Sequence, residues 1–339
     1  MTVQTLAVDI NGTVLAYTDS GKPASDVYIT IFALHGMGFN GGIFKRLAAV
    51  APKKNIRLVA INRRQYEGST PFGPEAAIPI TGSEDEKTKF LASRGIELAN
   101  FAATFIEKNN LPPISADGKT GGVAFLGWSA GNNLTCAAVA NIDGLSAGAQ
   151  ARLRSHLRAH IMYEAPSIVI GLPLPPDNWF PHMDKSMPAE KHTPMFTNWI
   201  TSYFDHGDLA TKDLKVLNYH LPSPYRRPSV YSMTREEFDA IVDMGPEEFA
   251  PLFMSQAQAA ANLNKACFSE TIKSLVPALK TTFIAGERSA SYAIAAMWSL
   301  ESENEARGGE LKTVLIPGAN HFYHWEEPEE ALQVFVDAL

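Results

Sequence analysis

Near-continuous apolar runs alternate along the chain with segments whose apolar residues recur every three or four positions. The first long run is Val27-Tyr28-Ile29-Thr30-Ile31-Phe32-Ala33-Leu34. Runs of the same kind fall at 57–61, 122–127, 161–163, 281–285 and 312–316. Such runs suit strands buried on both faces. Two shorter β-rich runs, 6–9 and 14–17, flank Asn11-Gly12 and predict a hairpin. Helical spacing falls between the strands, at 42–51, 84–108, 130–141, 291–307 and 328–339. In the last of these, Ala331, Leu332, Val334, Phe335 and Leu339 form one apolar stripe. Strands alternating with helices predict a mostly parallel sheet covered on both faces, an α/β fold.

One segment breaks the alternation. Residues 166–275 hold 12 of the 22 prolines and many aromatics, among them Trp179, Phe180, Phe196, Trp199, Tyr203 and Phe204. Short helices are expected at 193–204, 235–244 and 247–263. This reads as an insertion between two sheet strands: a helical lid at 166–275 on a core made of 1–165 and 276–339. The other reading is a subdomain with its own core.

Composition narrows the classes. Of the 339 residues, 45% are hydrophobic and 19% charged, which is globular rather than disordered composition. The net charge of −7, with no long basic run, argues against nucleic-acid binding through phosphate contacts. No stretch approaches 18 apolar residues, so no membrane span is expected. The opening Met1-Thr2-Val3-Gln4-Thr5-Leu6 lacks a basic region followed by an apolar run and does not read as a signal peptide. Two cysteines, Cys136 and Cys267, are too few for a disulfide framework or a Cys-based zinc site. A reducing, cytoplasmic compartment is the default expectation. Oligomeric state is not legible.

Three loops carry candidate chemistry. Gly127-Trp128-Ser129-Ala130-Gly131 stands between a predicted strand and a predicted helix. In that context G-x-S-x-G forms a sharp turn that pushes the serine oxygen out of the sheet and leaves the first helix amides free. A serine N-cap between packed glycines is the plainer alternative. The second loop, His35-Gly36-Met37-Gly38, follows the strand ending at Leu34. Its backbone can present amides to a developing oxyanion, at Met37 or Gly36, with Ala130 N–H as the second donor. The third is Pro317-Gly318-Ala319-Asn320-His321-Phe322, just past the last apolar strand. A serine hydroxyl needs a neighbouring base, and His is the usual one near neutral pH. His321 sits on a loop at the carboxyl end of a predicted strand, as Ser129 does. His324 is its rival, but is expected to begin the final helix or pack beside Trp325.

With these loops in this order, the sequence resembles the α/β-hydrolase fold superfamily over nearly its whole length. Asn62-Arg63-Arg64-Gln65-Tyr66-Glu67-Gly68-Ser69 is similar to that fold's arginine–glycine loop, with Asn62 where the family often has Asp. The resemblance implies a nucleophile–histidine–acid mechanism. Superfamily members with an Asp nucleophile, the epoxide hydrolases and haloalkane dehalogenases, work by routes that Ser129 does not allow.

The acid departs from the common pattern. It usually follows the seventh strand, three residues after a Gly. In Phe283-Ile284-Ala285-Gly286-Glu287-Arg288-Ser289 that place holds Ser289. Glu287 is close but shifted, and Arg288 is positioned to hold it in a surface pair. The other candidate is Glu164, in Tyr163-Glu164-Ala165-Pro166 at the end of the sixth strand. Zearalenone-type lactone hydrolases take their acid from that strand end, in a similar Glu-x-Pro context. Glu164 is the preferred acid and Glu287 the alternative, while a carboxylate that anchors the lid through an Arg is the non-catalytic reading. Together these features imply a serine hydrolase for an ester or lactone of a bulky, largely apolar small molecule. No metal or organic cofactor is called for. Thioester or carbon–carbon cleavage, acyl transfer, and a ligand receptor without turnover stay open.

Overall fold

Eight strands form one sheet in the order β1-β2-β4-β3-β5-β6-β7-β8. The computed structural model describes residues 1–243 and 249–339. In chain order the first half runs β1 (Gln4–Ala7), β2 (Val14–Asp19), β3 (Ile29–Leu34), α1 (Lys45–Val50), β4 (Ile56–Ile61), α2 (Ile78–Thr81), α3 (Glu84–Asn109), β5 (Val123–Trp128), α4 (Gly131–Ala140), α5 (Ala147–His156) and β6 (Leu157–Tyr163). The helices α6 (Ser167–Ile170), α7 (Ala189–Ile200), α8 (Arg235–Ile241), α9 (Phe249–Met254), α10 (Gln256–Phe268) and α11 (Glu270–Leu275) follow. The chain then returns to the sheet as β7 (Lys280–Gly286), α12 (Ser291–Ala306), β8 (Lys312–Ile316), α13 (Tyr323–Glu326) and α14 (Pro328–Asp337).

The Asn11-Gly12 hairpin forms as expected, with Leu6 paired to Leu15. β2 is antiparallel to β4, and every pairing from β4 through β8 is parallel. Every residue of β4, β5 and β6 is buried, as continuous apolar runs require when helices cover both faces. β6 begins four residues earlier than the 161–163 run implied. Arg158 and His160 interrupt the apolar pattern yet are buried with partners: Arg158 Nη1 donates to Gly121 O at 2.8 Å, and His160 Nε2 meets Thr135 Oγ1 at 3.0 Å. α5 was not legible either, because it buries only Ala149 and Leu153. Its one local signal is the Ser146 N-cap, whose side chain accepts from Ala149 N.

Between β6 and β7 the chain is helical, as expected, with α7 starting and ending about four residues before the 193–204 estimate. The expected helix at 235–244 ends at Ile241. Position 244, and the first two positions of the one expected at 247–263, lie outside the described residues. The remainder of that span divides into α9 and α10. Phe196, Trp199, Ile200, Phe204 and Leu217 from this segment join the same apolar cluster as Trp128, Ile161 and Phe283 of the sheet. The segment therefore packs onto the sheet's own core rather than around a separate one. Among the described residues no helix is long and apolar enough to cross a membrane.

Candidate active site

The elbow forms because β5 must turn into α4 within three residues. Ser129 sits between them at φ +53°, a left-handed conformation that costs a non-glycine residue about 1–2 kcal/mol. The fold over-determines it. Ser129 N donates to Tyr163 O at 3.0 Å, and buried Asn132 donates through Nδ2 to both Ser129 O (2.9 Å) and Tyr163 O (3.0 Å). Gly131 allows α4 to start hard against β3, since a Cβ there would lie 2.3 Å from Leu34 O.

The loop after β3 lies against the serine. A Cβ on Gly36 would come within 2.8 Å of Ser129 Cβ. His35 is fully buried. Its Nε2 accepts from Arg63 N (3.1 Å), so Nδ1 carries the proton and donates to Gly36 O (2.9 Å). Burial, with the Arg63 guanidinium nearby, holds His35 well below the ordinary histidine range, so it stays neutral. Gly36 O also accepts from Arg63 Nη2 at 2.8 Å. In a trans peptide the next N–H points the opposite way, so the Met37 amide faces away from these groups. Gly38 N is already committed to Tyr66 Oη at 3.1 Å. Asn62 meets this loop's continuation: its Oδ1 accepts from Gly41 N at 2.7 Å, and its Nδ2 donates to Glu67 O at 2.9 Å, a bond an Asp could not make.

Glu164 and His321 meet in the interior. His321 Nδ1 lies 2.8 Å from Glu164 Oε2, and both side chains are buried. Glu164 leaves β6 at φ +55°, so the residues that directly follow β5 and β6 both adopt the left-handed region. Burying a carboxylate is costly unless donors compensate it. Here Gly286 N donates to Oε1, and Ser289 Oγ donates to Oε2 beside the His321 ring. Among the described residues its ion pair is with His321, not with the Arg of the lid-anchor reading. With a carboxylate accepting at Nδ1, the imidazole proton sits there, and Nε2 is left as the acceptor. Nε2 is buried with no hydrogen-bond partner among the described residues. Trp128 packs against the ring at a centroid distance of 5.2 Å, and its Nε1 donates to the His321 backbone carbonyl at 3.0 Å.

Glu287 is not at this site. It is exposed, and its Oε2 accepts from Gly318 N at 2.8 Å. The surface pair expected for it is made elsewhere: Arg288 pairs with Asp205 of the helical segment. His324 is likewise removed from the chemistry. It lies in α13 rather than at the start of α14, and packs on Trp128, Phe44 and Tyr163 rather than beside Trp325. Burial and the neighbouring His321 depress its pKa to about 3.

Asn132, Ser289 and Asn320 support these residues without having been singled out for it from the sequence. Asn320 is buried and donates to Thr201 O (3.0 Å) and Ser229 Oγ (2.8 Å), joining the histidine loop to the helical segment. The Asn320-His321 pair was visible in the sequence, but its partners lie about a hundred residues away and gave no signal.

Ser129 and His321 line one cavity, with Met37, Ala130 and Trp128 on the sheet side and Ile168, Phe180, Trp199 and Leu252 from the helical segment. The wall is overwhelmingly apolar. A second cavity, bounded by Ala130 and Leu252 as well, runs toward α3 and the 63–65 loop. Among the described residues no group of three or more His, Cys, Asp or Glu is placed to hold a metal ion.

Solved structures similar to this chain include hydrolases of low sequence identity. An epoxide hydrolase mutant from Vigna radiata is 14% identical with a TM-score of 0.56, covering 99% of this chain and 98% of that one. Epoxide hydrolase A from Mycobacterium thermoresistibile is 16% identical with a TM-score of 0.51, covering 100% and 98%. At these identities the likeness shows the fold. No curated protein matches the chain. The sheet order, the Ser129 elbow and the match of residues 31–334 to the Alpha/beta hydrolase family agree, and the chain belongs to that family.

Proposed function

We propose that this hydrolase is a serine enzyme that cleaves an ester or lactone of a bulky, largely apolar or aromatic small molecule through an acyl-enzyme. The observation that carries the reading is the buried His321–Glu164 contact of 2.8 Å, which leaves Nε2 free in the cavity that Ser129 lines. Ser129 Oγ attacks the acyl carbon while His321 Nε2 takes its proton. Glu164 fixes the Nδ1–H tautomer and offsets the charge of the imidazolium. The tetrahedral oxyanion receives the amides of Ala130 and Met37, the latter favoured over Gly36 by the peptide orientation described above. Collapse of the intermediate passes the proton from His321 to the leaving oxygen. Water then repeats the sequence and frees the acid. None of these steps calls for a metal or organic cofactor.

The segment 166–275 acts in this reading as a lid over a core of 1–165 and 276–339. Its side chains supply the apolar wall facing Ser129, which favours an apolar body in the substrate. The proposed acid's place after β6 resembles that of zearalenone-type lactone hydrolases, which is the support for including lactones. The epoxide-hydrolase neighbours do not redirect the reading, because a serine rather than an aspartate stands at the elbow.

The test is a fluorophosphonate probe and a series of p-nitrophenyl esters. Stoichiometric labelling that Ser129→Ala abolishes, with sustained ester turnover, is the expected result. Labelling without sustained turnover would mark a ligand receptor on a hydrolase fold. Full turnover by folded Ser129→Ala would end the serine mechanism.

A further inference from the structure

His321 stands on a loop, so no strand pairing fixes its main chain. The residue before it supplies that restraint. Asn320 Oδ1 accepts from Phe322 N at 3.0 Å, closing a turn that spans His321. The other end of the same amide leaves the loop. Nδ2 donates to Thr201 O at 3.0 Å and to Ser229 Oγ at 2.8 Å, with Ser202 O at 3.4 Å. Asn320, Thr201 and Ser229 are all fully buried. A backbone N–H faces one end of the amide and backbone carbonyls face the other, so it has a single orientation.

Thr201 and Ser202 directly follow α7, and that helix end is tied back on itself. Thr201 Oγ1 donates to Thr197 O at 2.8 Å, Ser202 Oγ to Asn198 O at 2.6 Å, and Ser229 N to Thr201 O at 2.7 Å. Phe196, Trp199 and Ile200, near this end of α7, line the cavity that Ser129 and His321 also line. One buried amide therefore connects the main chain of His321 to the helix that forms part of the cavity wall. We propose that Asn320 is a positioning residue that holds the general base and the cavity-lining end of α7 in one register. A substrate body seated on Trp199 and Ile200 is thereby aligned with His321, and the reaction slows when the tie is cut. The assignment rests on the serine-hydrolase reading for its kinetics but not for its geometry.

The test uses vinyl acetate and vinyl benzoate, which share a leaving group and differ in the aromatic body offered to α7. Asn320→Ala removes the turn acceptor and the tie together, and kcat should fall about tenfold to a hundredfold for both esters with KM little changed. Asn320→Ser keeps a hydroxyl that can accept from Phe322 N but lacks the amide donors. Its kcat should stay within about threefold of wild type on vinyl acetate and fall about tenfold on vinyl benzoate. Equal losses on the two esters in Asn320→Ser, or a wild-type kcat in either variant on vinyl benzoate, would overturn the proposal. If neither Asn320 variant folds, Ser229→Ala, which removes one acceptor from the tie and leaves the turn intact, should show the same bias against vinyl benzoate, and no bias would overturn it. If wild type turns over neither ester, the serine reading fails, and proton NMR decides the positioning role by itself. The downfield resonance of the His321 Nδ1–H bonded to Glu164 is identified by its loss in Glu164→Gln. Its retention in Asn320→Ser with loss or broadening in Asn320→Ala supports the role, and an unchanged resonance in Asn320→Ala overturns it.

Discussion

Ser289 Oγ donates a hydrogen bond to the same Glu164 oxygen that faces His321 Nδ1. Ser289 stands three residues after Gly286, where the superfamily usually places its acid, so the carboxylate and its usual position are still in contact. In the proposed triad the acid stands one strand over, at the end of β6. β6 and β7 are parallel neighbours, with Tyr163 opposite Ile284, and both ends therefore open beside the histidine loop. A serine at the vacated place leaves room for the longer Glu164 side chain and gives it a second donor.

The acid assignment is tested by paired substitutions. Glu164→Gln removes the charge opposite the imidazolium and offers an amide that can favour the wrong tautomer. A loss of roughly 10²–10⁴ in kcat is expected. Glu287→Gln should stay within about tenfold, because Glu287 is exposed and bonds only Gly318 N among the contacts described. Stopped-time assays on both variants, after circular dichroism has verified folding, decide the matter. A dead Glu287→Gln beside an active Glu164→Gln would return the acid to β7.

The contact with Ser289 also predicts that the acid can be moved back. Glu164→Ala should be nearly inactive, whereas Glu164→Ala with Ser289→Asp should recover at least about tenfold in kcat by presenting a carboxylate to His321 Nδ1 from β7. Ser289→Asp alone should lower stability, because two buried carboxylates would share one site. Activity of the double variant no higher than that of Glu164→Ala would show that the β7 position cannot reach the imidazole.

Much of this arrangement was legible because each main residue sits in a local pattern. Ser129 lies between two glycines at a strand–helix junction, His321 follows the last apolar run, and Glu164 ends a buried one. What holds them was not legible. Asn132 bridges two strands through backbone carbonyls, Ser289 works only through its neighbour, and Asn320 bonds residues about a hundred positions earlier. Such bonds leave no periodicity. Buried Arg158 and His160 obscured the start of β6 for the opposite reason: they break an apolar pattern while each finds a polar partner inside the fold. The second cavity needed the fold, since α3, the 63–65 loop and α9 meet only in three dimensions.

Gly36 is expected to tolerate no side chain. A methyl group there would lie 2.8 Å from Ser129 Cβ and 3.2 Å from its Oγ, so either the serine or the loop must shift. Either movement separates the nucleophile from the Met37 amide proposed for the oxyanion. Gly36→Ala should fold, because the clash is confined to the loop, yet lose about 10²-fold or more in kcat, the scale of one lost oxyanion donor. Slower fluorophosphonate labelling should accompany the loss. Unchanged labelling and turnover would mean that the loop yields without consequence and is not part of the oxyanion site.

The final prediction concerns acid stability and two histidines outside the proposed chemistry. His324 and His160 are buried, and burial lowers their pKa values to about 3 and about 4 from 6.5. A histidine depressed in the folded state contributes stability that is fully present above its unfolded pKa. Below about pH 6.5 the unfolded chain takes up a proton that the folded protein refuses, so stability falls as pH drops. The decline continues until the folded values, near 4 and 3, are reached. At pH 4.5 each site should have cost on the order of 2–3 kcal/mol relative to pH 8. His324 is the cleaner probe, since its ring nitrogens have no partner among the described residues and its surroundings are Trp128, Phe44 and Tyr163. His324→Phe should keep the packing and remove one titration. Urea unfolding at pH 8.0, 6.0 and 4.5 should therefore show a shallower acid loss in the variant, by about 2 kcal/mol at the lowest pH. Parallel curves for variant and wild type would mean that His324 is protonated in the folded protein and that its burial does not govern its charge.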